Sequence, residues 1–338
     1  MSKSLAPDAI LQLGMGFWAS KTLLSAVSLG LFSELAQGPL DCREIQHRLG
    51  LHDRSAGDFL DALVALRLLE RSGSDRYSNS AEADFFLDRA KPSYLGGILE
   101  MMDRRLFGYW NRLTDGLKSG QPQNEARDGQ EDVFGAIYAD PAILRNFLGA
   151  MTGVSRMTAQ AIAAAFDWST VRSFVDVGCA QGGCMVEIAG KHPHLTGIGF
   201  DLPAVGPVFA EFVRERGLSD RLRFQSGSFF EQPIPAADVL VMGHILHDWD
   251  MAEKRLLLAK AYAALPAGGS LIVYDTMIDD ERRENAFGLL MSLNMLIETK
   301  GGFDYTGADC IGWMREAGFR EATVTRLNAT HAMAVAVK

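Results

Sequence analysis

Two stretches of this sequence carry residues whose types and spacing could do chemistry. The first is Phe174-Val-Asp-Val-Gly178-Cys-Ala-Gln-Gly182-Gly183, a short β-type run that ends in glycines and opens a helical pattern. Glycine at such a turn lets a ligand approach the backbone closely. Twenty-three residues after Gly178 comes Asp201, at the end of the next β-type run, GIGFDLP. A carboxylate there can accept both hydroxyls of a ribose. The pair predicts an adenosine-containing ligand at the C-terminal edge of a sheet. Taken alone the glycines are ambiguous. Gly178, Ala180 and Gly183 approximate the dinucleotide fingerprint, and a tight strand-to-helix turn can need glycine with no ligand at all. Three features weigh against NAD: the unit starts after a long helical region, Asp176 lies within the first strand, and the chain ends in a hairpin pattern. The second stretch is His244-Ile-Leu-His247-Asp248-Trp249-Asp250. It follows the β-type run ADVLVM and so reaches the same sheet edge. A histidine titrates near neutrality and can accept a proton. Trp249 reads as packing.

A sheet must position these residues. From about residue 170, β-type runs alternate with helical ones: SFVDVG, LTGIGFDL, LRFQSG, ADVLVMGHI and SLIVYDTMI. That alternation argues for an α/β fold with a doubly wound parallel sheet. The end differs: EATVTRLNATHAMAVAVK reads as two strands joined by a short turn, so the last strand should run antiparallel. The first part is mainly helical. Met15 to Leu35 has apolar residues at helical spacing, broken at Gly30. Leu40 to Leu51 gives a short helix and Ala56 to Glu70 an amphipathic one. The polar stretch RSGSDRYSNS then carries the turn residues of a β-hairpin. Helix, turn, helix, hairpin is a winged-helix pattern. Residues 92–165 read as further helices, with a loop at Ser119–Glu131. The expected domains are 1–165, helical and contributing to the substrate pocket, and 166–338, which binds the ligand.

Composition bounds the function. A chain of 338 residues fits two domains, and 48% hydrophobic with 22% charged residues can bury a core, which excludes disorder. Lys+Arg is 33 and Asp+Glu 42, a net charge of −9. An acidic chain is a poor partner for nucleic acid or an anionic membrane. The winged-helix region, 40–80, carries six basic and seven acidic residues, whereas a groove-reading helix needs cations to meet phosphates. Its apolar helices instead predict a homodimer interface. The first residues, MSKSLAPDAILQLGMG, lack a cleavable signal, and no run of about 18 apolar residues exists. Cys42, Cys179, Cys184 and Cys310 form neither a disulfide framework nor a zinc spacing. A cytoplasmic protein is expected.

The segments FVDVGCAQGG, FDLPAV, GSFF, HILHDWD and GGSLIVYD, in that order, resemble class I S-adenosylmethionine-dependent O-methyltransferases. Within these the chain is similar to the plant-type and bacterial small-molecule group that methylates phenolic hydroxyls. The resemblance covers nearly the whole chain. It implies a Rossmann-like methyltransferase sheet and an N-terminal winged-helix dimerisation domain. The GFWASK and GGFDYTGAD segments also resemble a bacterial subgroup for which methylation of a tyrosine ring carbon is a possible chemistry. By position, Gly178 would line the methionine side of S-adenosylmethionine, Asp201 would hold the ribose and Leu202 would lie against the adenine. Ser228 and Phe229 would sit at the adenine edge and face, and Ser155 near the cofactor carboxylate. The family has Asp where Ser228 stands, and its plant members have Lys where Gly243 stands, so a charged contact is missing at each.

The resemblance places the general base at His247, acting on a phenol whose pKa is near 10. The two glutamates that orient this base in the family fall on Asp275 and Asp304, each one methylene shorter. The pocket for a small aromatic substrate would be lined by Phe107, Trp110, Met151, Asn294, Met295 and Glu298. Methionine and aromatic side chains suit a flat ring. Asn294 and Glu298 lie at i and i+4 on one helix face and suggest a polar substituent, such as an amine facing Glu298. No Asp/Asn/His cluster in the sequence reads as a magnesium site, so no metal is expected. S-Adenosylhomocysteine would be the product. The rival readings are methyl transfer to ring carbon or nitrogen and a non-methylating S-adenosylmethionine-binding enzyme. More distant are a winged-helix regulator and an NAD-dependent dehydrogenase.

Overall fold

The computed structural model of the chain describes residues 5–73, 75–128 and 133–338. Contacts divide it into two compact units, Met1–Gly108 and Tyr109–Lys338. The helix that ends near the expected boundary at 165, Pro141–Ala165, falls in the second unit, where it packs along helix Gly183–Lys191.

In the first unit, helices Gly16–Leu29 and Leu31–Leu35 are separated by Gly30 at φ 76°, a left-handed conformation open to glycine. The expected 40–51 helix is Cys42–Leu49. Asp41 and Glu44 cap its start reciprocally and Gly50 ends it in the left-handed region. The next helix is shorter than its apolar pattern, Ala56–Ala65 instead of 56–70. Arg67 takes φ 61° and turns the chain, so Leu69 and Glu70 enter a strand. Strands β1 (Leu40–Asp41), β2 (Leu69–Ser72) and β3 (Arg76–Asn79) form an antiparallel sheet in the order β1-β3-β2. This is the expected hairpin, its turn residue Ser74 lying outside the described residues. Leu31, Phe32, Ile45, Leu60, Leu63 and Tyr77 form the core of this unit.

The second unit holds the sheet. Its strands are β4 (Ser173–Val177), β5 (Thr196–Asp201), β6 (Leu222–Ser226), β7 (Val239–Gly243), β8 (Ser270–Asp275), β9 (Arg320–Arg326) and β10 (Ala332–Val337). Their order is β6-β5-β4-β7-β8-β10-β9. β6 through β8 run parallel, and β10 inserts antiparallel between β8 and β9. Alternation explains why both faces are covered. Val175, Val177, Leu240, Met242, Leu271 and Val273 enter one core, while Phe174, Val239, Val241, Ile272 and Tyr274 enter the other. The loop expected at 119–131 contains a 3-10 turn, Glu125–Asp128, and its residues 129–131 lie outside the described residues. Among the described residues no helix is long and apolar enough to cross a membrane. The four cysteines are free thiols.

Candidate active site

Four of the parallel strands deliver chemistry to one edge. Gly178 directly follows β4, β5 ends at Asp201, β7 at Gly243 and β8 at Asp275, and the loop after β6 carries Ser228 and Phe229. In open α/β sheets ligands bind outside the carboxyl ends of the strands, where the strand order reverses. β4 lies between β5 and β7, which makes its end such a point.

The glycine turn is built for close approach. Gly178 (φ 72°), Ala180 (φ 50°) and Gly182 (φ 89°) are all left-handed. A Cβ on Gly178 would run into the Ile245 side chain, and one on Gly182 would lie 2.8 Å from the Phe209 ring. Gly183 opens helix Gly183–Lys191 under Thr152, and Met151 and Ser155 lie on the same helix as that threonine. The Asp201 carboxylate accepts from the Ala180 N–H at 2.8 Å and the Leu202 N–H at 2.7 Å. Burial pushes its pKa up to about 6, and those N–H groups with the Tyr138 hydroxyl hold it down. Leu202 stands 37% exposed beside it. The Asp201 carbonyl accepts from Gly227 at 2.8 Å, which fixes the Ser228–Phe229 loop alongside. Ser228 Oγ accepts from the Phe230 N–H at 3.3 Å, and Phe229 packs edge-on against Phe230 and Trp249. Trp249 is a packing residue, as its position suggested.

His247 sits in a 3-10 turn, Leu246–Asp248, and is 6% exposed. Its Nδ1 lies 3.3 Å from Asp304 Oδ1 and 3.9 Å from Asp275 Oδ1, and its Nε2 lies 3.6 Å from Asp248 Oδ1. Burial alone would lower its pKa. The carboxylates of Asp275, Asp248 and Asp304 overcome that and hold it at about 10. The shorter acids therefore still reach the imidazole. Asp275 is in turn held by the Tyr305 hydroxyl at 2.5 Å, and Asp304 by the Thr276 hydroxyl at 2.8 Å. Burial raises Asp275 to about 6 and Asp248 to about 7. The turn is anchored downstream, where Asp250 and Glu253 cap helix Met251–Ala264 reciprocally, a contribution of about 1 kcal/mol. Thr306, not Asp304, caps helix Gly307–Glu316, which leaves Asp304 to the histidine.

A Cβ on Gly243 would run into the Tyr274 ring, so that ring fills the space of the absent side chain. Tyr274 also packs edge-on against His244 (φ 54°), whose ring meets His331 at 5.0 Å. Burial lowers the pKa of both histidines, His331 to about 4. His244, His247 and Asp275 present ligand atoms within 4.8 Å of one another. That donor set of two imidazoles and a carboxylate differs from the oxygen shell that magnesium takes.

Of the expected pocket residues, Trp110 Nε1 donates to Asn294 Oδ1 at 2.9 Å, joining helix Phe107–Trp110 to helix Ala286–Glu298. Met295 is buried on that helix, and the Glu298 carbonyl accepts from Asn124 Nδ2 at 2.7 Å. Phe107 belongs to the first unit. Sequence reasoning missed Tyr138, Thr276, Tyr305 and His331. The GGFDYT segment held a signal for Tyr305, next to Asp304. Tyr138 and His331 had none, because each reaches the site from a distant part of the chain.

The edge fits an adenosine-bearing ligand, because the Asp201 carboxylate keeps lone pairs free beside the exposed apolar Leu202. Asp275 Oδ1 and Asp304 Oδ2, buried oxygens with no hydrogen bond among the described residues, belong to the His247 cluster. Comparison with known proteins agrees. The profile of the O-methyltransferase domain matches residues 110–320, and that of the O-methyltransferase dimerisation domain matches residues 11–89. The chain is 45% identical over 332 residues to the tetracenomycin polyketide synthesis 8-O-methyl transferase TcmO of Streptomyces glaucescens, covering 98% of this chain and 97% of that one. It is 39% identical to the N,N-dimethyltransferase OxyT of Streptomyces rimosus, covering 96% and 95%. Among solved structures, human N-acetylserotonin methyltransferase in complex with S-adenosylmethionine superposes with a TM-score of 0.92 at 28% identity, covering 100% of this chain and 99% of that one. The chain belongs to the S-adenosylmethionine-dependent O-methyltransferase family and carries both its methyltransferase domain and its dimerisation domain.

Proposed function

We propose that the chain methylates a phenolic hydroxyl of an aromatic polyketide-like metabolite and that His247 takes up the proton. The observation that carries this reading is the buried imidazole among three carboxylates at the edge that also holds Gly178 and Asp201. S-Adenosylmethionine supplies a methyl carbon that is electrophilic without metal help. Gly178, Asp201, Leu202, Ser228, Phe229 and Ser155 bind it in this reading, and Gly243 lies at the same edge. Trp110, Met151 and Met295 hold the flat ring and exclude water. His247 at about 10 matches a phenol near 10, so the proton moves between them at little cost. Asp275 and Asp304 orient the imidazole and stabilise the imidazolium that forms.

The acidic limb of kcat/KM for the phenol should therefore lie above the ordinary histidine range of about 6.5. A neutral imidazole accepts the proton, and the three carboxylates favour the charged form. Asp304→Asn removes one of them, so the limb should move to lower pH. A pH profile of both enzymes checks this. A limb at or below the ordinary range, unmoved by the substitution, contradicts it.

Methyl transfer to nitrogen is the second reading, supported by the likeness to OxyT. In solution the protein is a homodimer on this account, paired through the first unit, whose Phe17 and Trp18 are 56% and 61% exposed in the single chain. Residues 1–165 then serve pairing and part of the substrate pocket, with Ser155 at the cofactor, and 166–338 supply the rest of the cofactor site and the other side of the pocket. The free thiols suit the reducing cytoplasm.

A further inference from the structure

Lys254 is completely buried, an uncommon fate for a lysine. It stands near the start of helix Met251–Ala264, four residues past Asp250. Its Nζ donates to the Trp249 carbonyl at 2.5 Å and to the Phe303 carbonyl at 3.2 Å. The same ammonium lies 3.6 Å from the centre of the Phe303 ring and 5.7 Å from that of Tyr305. Trp249 follows His247 and Asp248 in the turn after β7, and Phe303 immediately precedes Asp304. One side chain thus ties together the two segments that meet at the His247 imidazole. No motif in the sequence singles it out.

Its charge faces Asp248, Asp250, Asp275 and Asp304. Burial drives Lys254 down to about 8, and those four carboxylates oppose the loss of its proton. In return it holds down the pKa of Asp248 and Asp275 against their own burial. The imidazole itself is faced by Asp248, Asp275 and Asp304, with His244 and His331 nearby.

We propose that Lys254 is a positioning residue for the proton acceptor, clamping the His247 turn to the Asp304 loop so that the imidazole keeps its aim. The inference rests on the reading of His247 as the base. The two carbonyls that its ammonium bridges flank the histidine and Asp304, so loss of the bridge should cost turnover and leave binding of acceptor and cofactor in place. A lysine that only filled space would lose turnover and binding together, or neither.

The test compares full-length wild type, Lys254→Met, Lys254→Gln, Lys254→Arg and His247→Asn. It measures kcat and KM against pH with one accepted phenol, and S-adenosylhomocysteine binding by calorimetry. Lys254→Met should lose roughly 30-fold or more in kcat, within the range of acid–base assistance. Acceptor KM and S-adenosylhomocysteine affinity should stay within about threefold. Lys254→Arg, which can still donate to both carbonyls, should recover at least about a third of the wild-type kcat. Should Lys254→Met fail to fold, Lys254→Gln, whose shorter amide reaches less far, reads the same split between kcat and KM. A kcat within about threefold of wild type in Lys254→Met or Lys254→Gln, or a loss that KM and S-adenosylhomocysteine affinity share or that Lys254→Arg does not rescue, overturns the inference. If His247→Asn turns over like wild type, the reading of the base fails first. If His247→Asn is inactive and Lys254→Met keeps the wild-type kcat, only the role of Lys254 fails.

Discussion

His247→Asn should lower kcat by about 10³-fold, the middle of the range for a lost general base, while S-adenosylhomocysteine affinity stays within about threefold. The histidine lies among Asp248, Asp275 and Asp304, whereas the ribose-side contacts are assigned to Asp201 on β5. Asparagine can fill part of the space but cannot hold the phenol proton. It also leaves the buried carboxylates without their cation, so Asp248 and Asp275, whose pKa values His247 holds down against burial, should take up protons more readily. Steady-state turnover and calorimetry on one preparation separate the two effects. A kcat within tenfold of wild type means that the proton leaves by another route.

Asp201→Ala should weaken S-adenosylhomocysteine binding by about 100-fold or more. Two hydrogen bonds to a charged carboxylate are worth about 1.5–3 kcal/mol each, and a tenfold change in affinity is about 1.4 kcal/mol. The substitution also strips the Ala180 and Leu202 N–H groups of their acceptor, which loosens the glycine turn. Asp201→Asn separates these contributions, because its amide oxygen can still accept one N–H. Direct titration measures both. Affinity within about threefold of wild type in Asp201→Ala means that the ribose lies elsewhere.

Much of this arrangement is legible in the residues. The apolar runs of β4, β7 and β8 have both faces buried, which a continuous Val/Leu/Ile pattern announces. The glycine turn, Asp201 and His247 each follow such a run, so the topology alone puts them at one edge. The helix ends at Ala65 although apolar spacing continues to Glu70, because the left-handed turn at Arg67 depends on tertiary packing that periodicity does not encode. Side-chain compensation was equally hidden. The loss of a side chain at 243 is visible in the sequence, but the Tyr274 ring that takes its place is not. The acids at 275 and 304 are one methylene shorter than the glutamates of the family. Their bonds to Tyr305 and Thr276 aim them at the imidazole, and these bonds join residues whose pairing follows only from the fold. Lys254 sits in an ordinary helical stretch, and its burial appears only once the Phe303 loop folds over it.

The central claim is transfer of a methyl group to a phenolic oxygen with His247 as the proton acceptor. The most direct test incubates wild type and His247→Asn with methyl-labelled S-adenosylmethionine and hydroxylated aromatic polyketides, including amine-bearing ones, and locates the label by NMR. The account predicts label on a phenolic oxygen in the wild-type product and about a thousandfold less of it with His247→Asn. Label on nitrogen or ring carbon, or label on oxygen formed equally fast by His247→Asn, contradicts it.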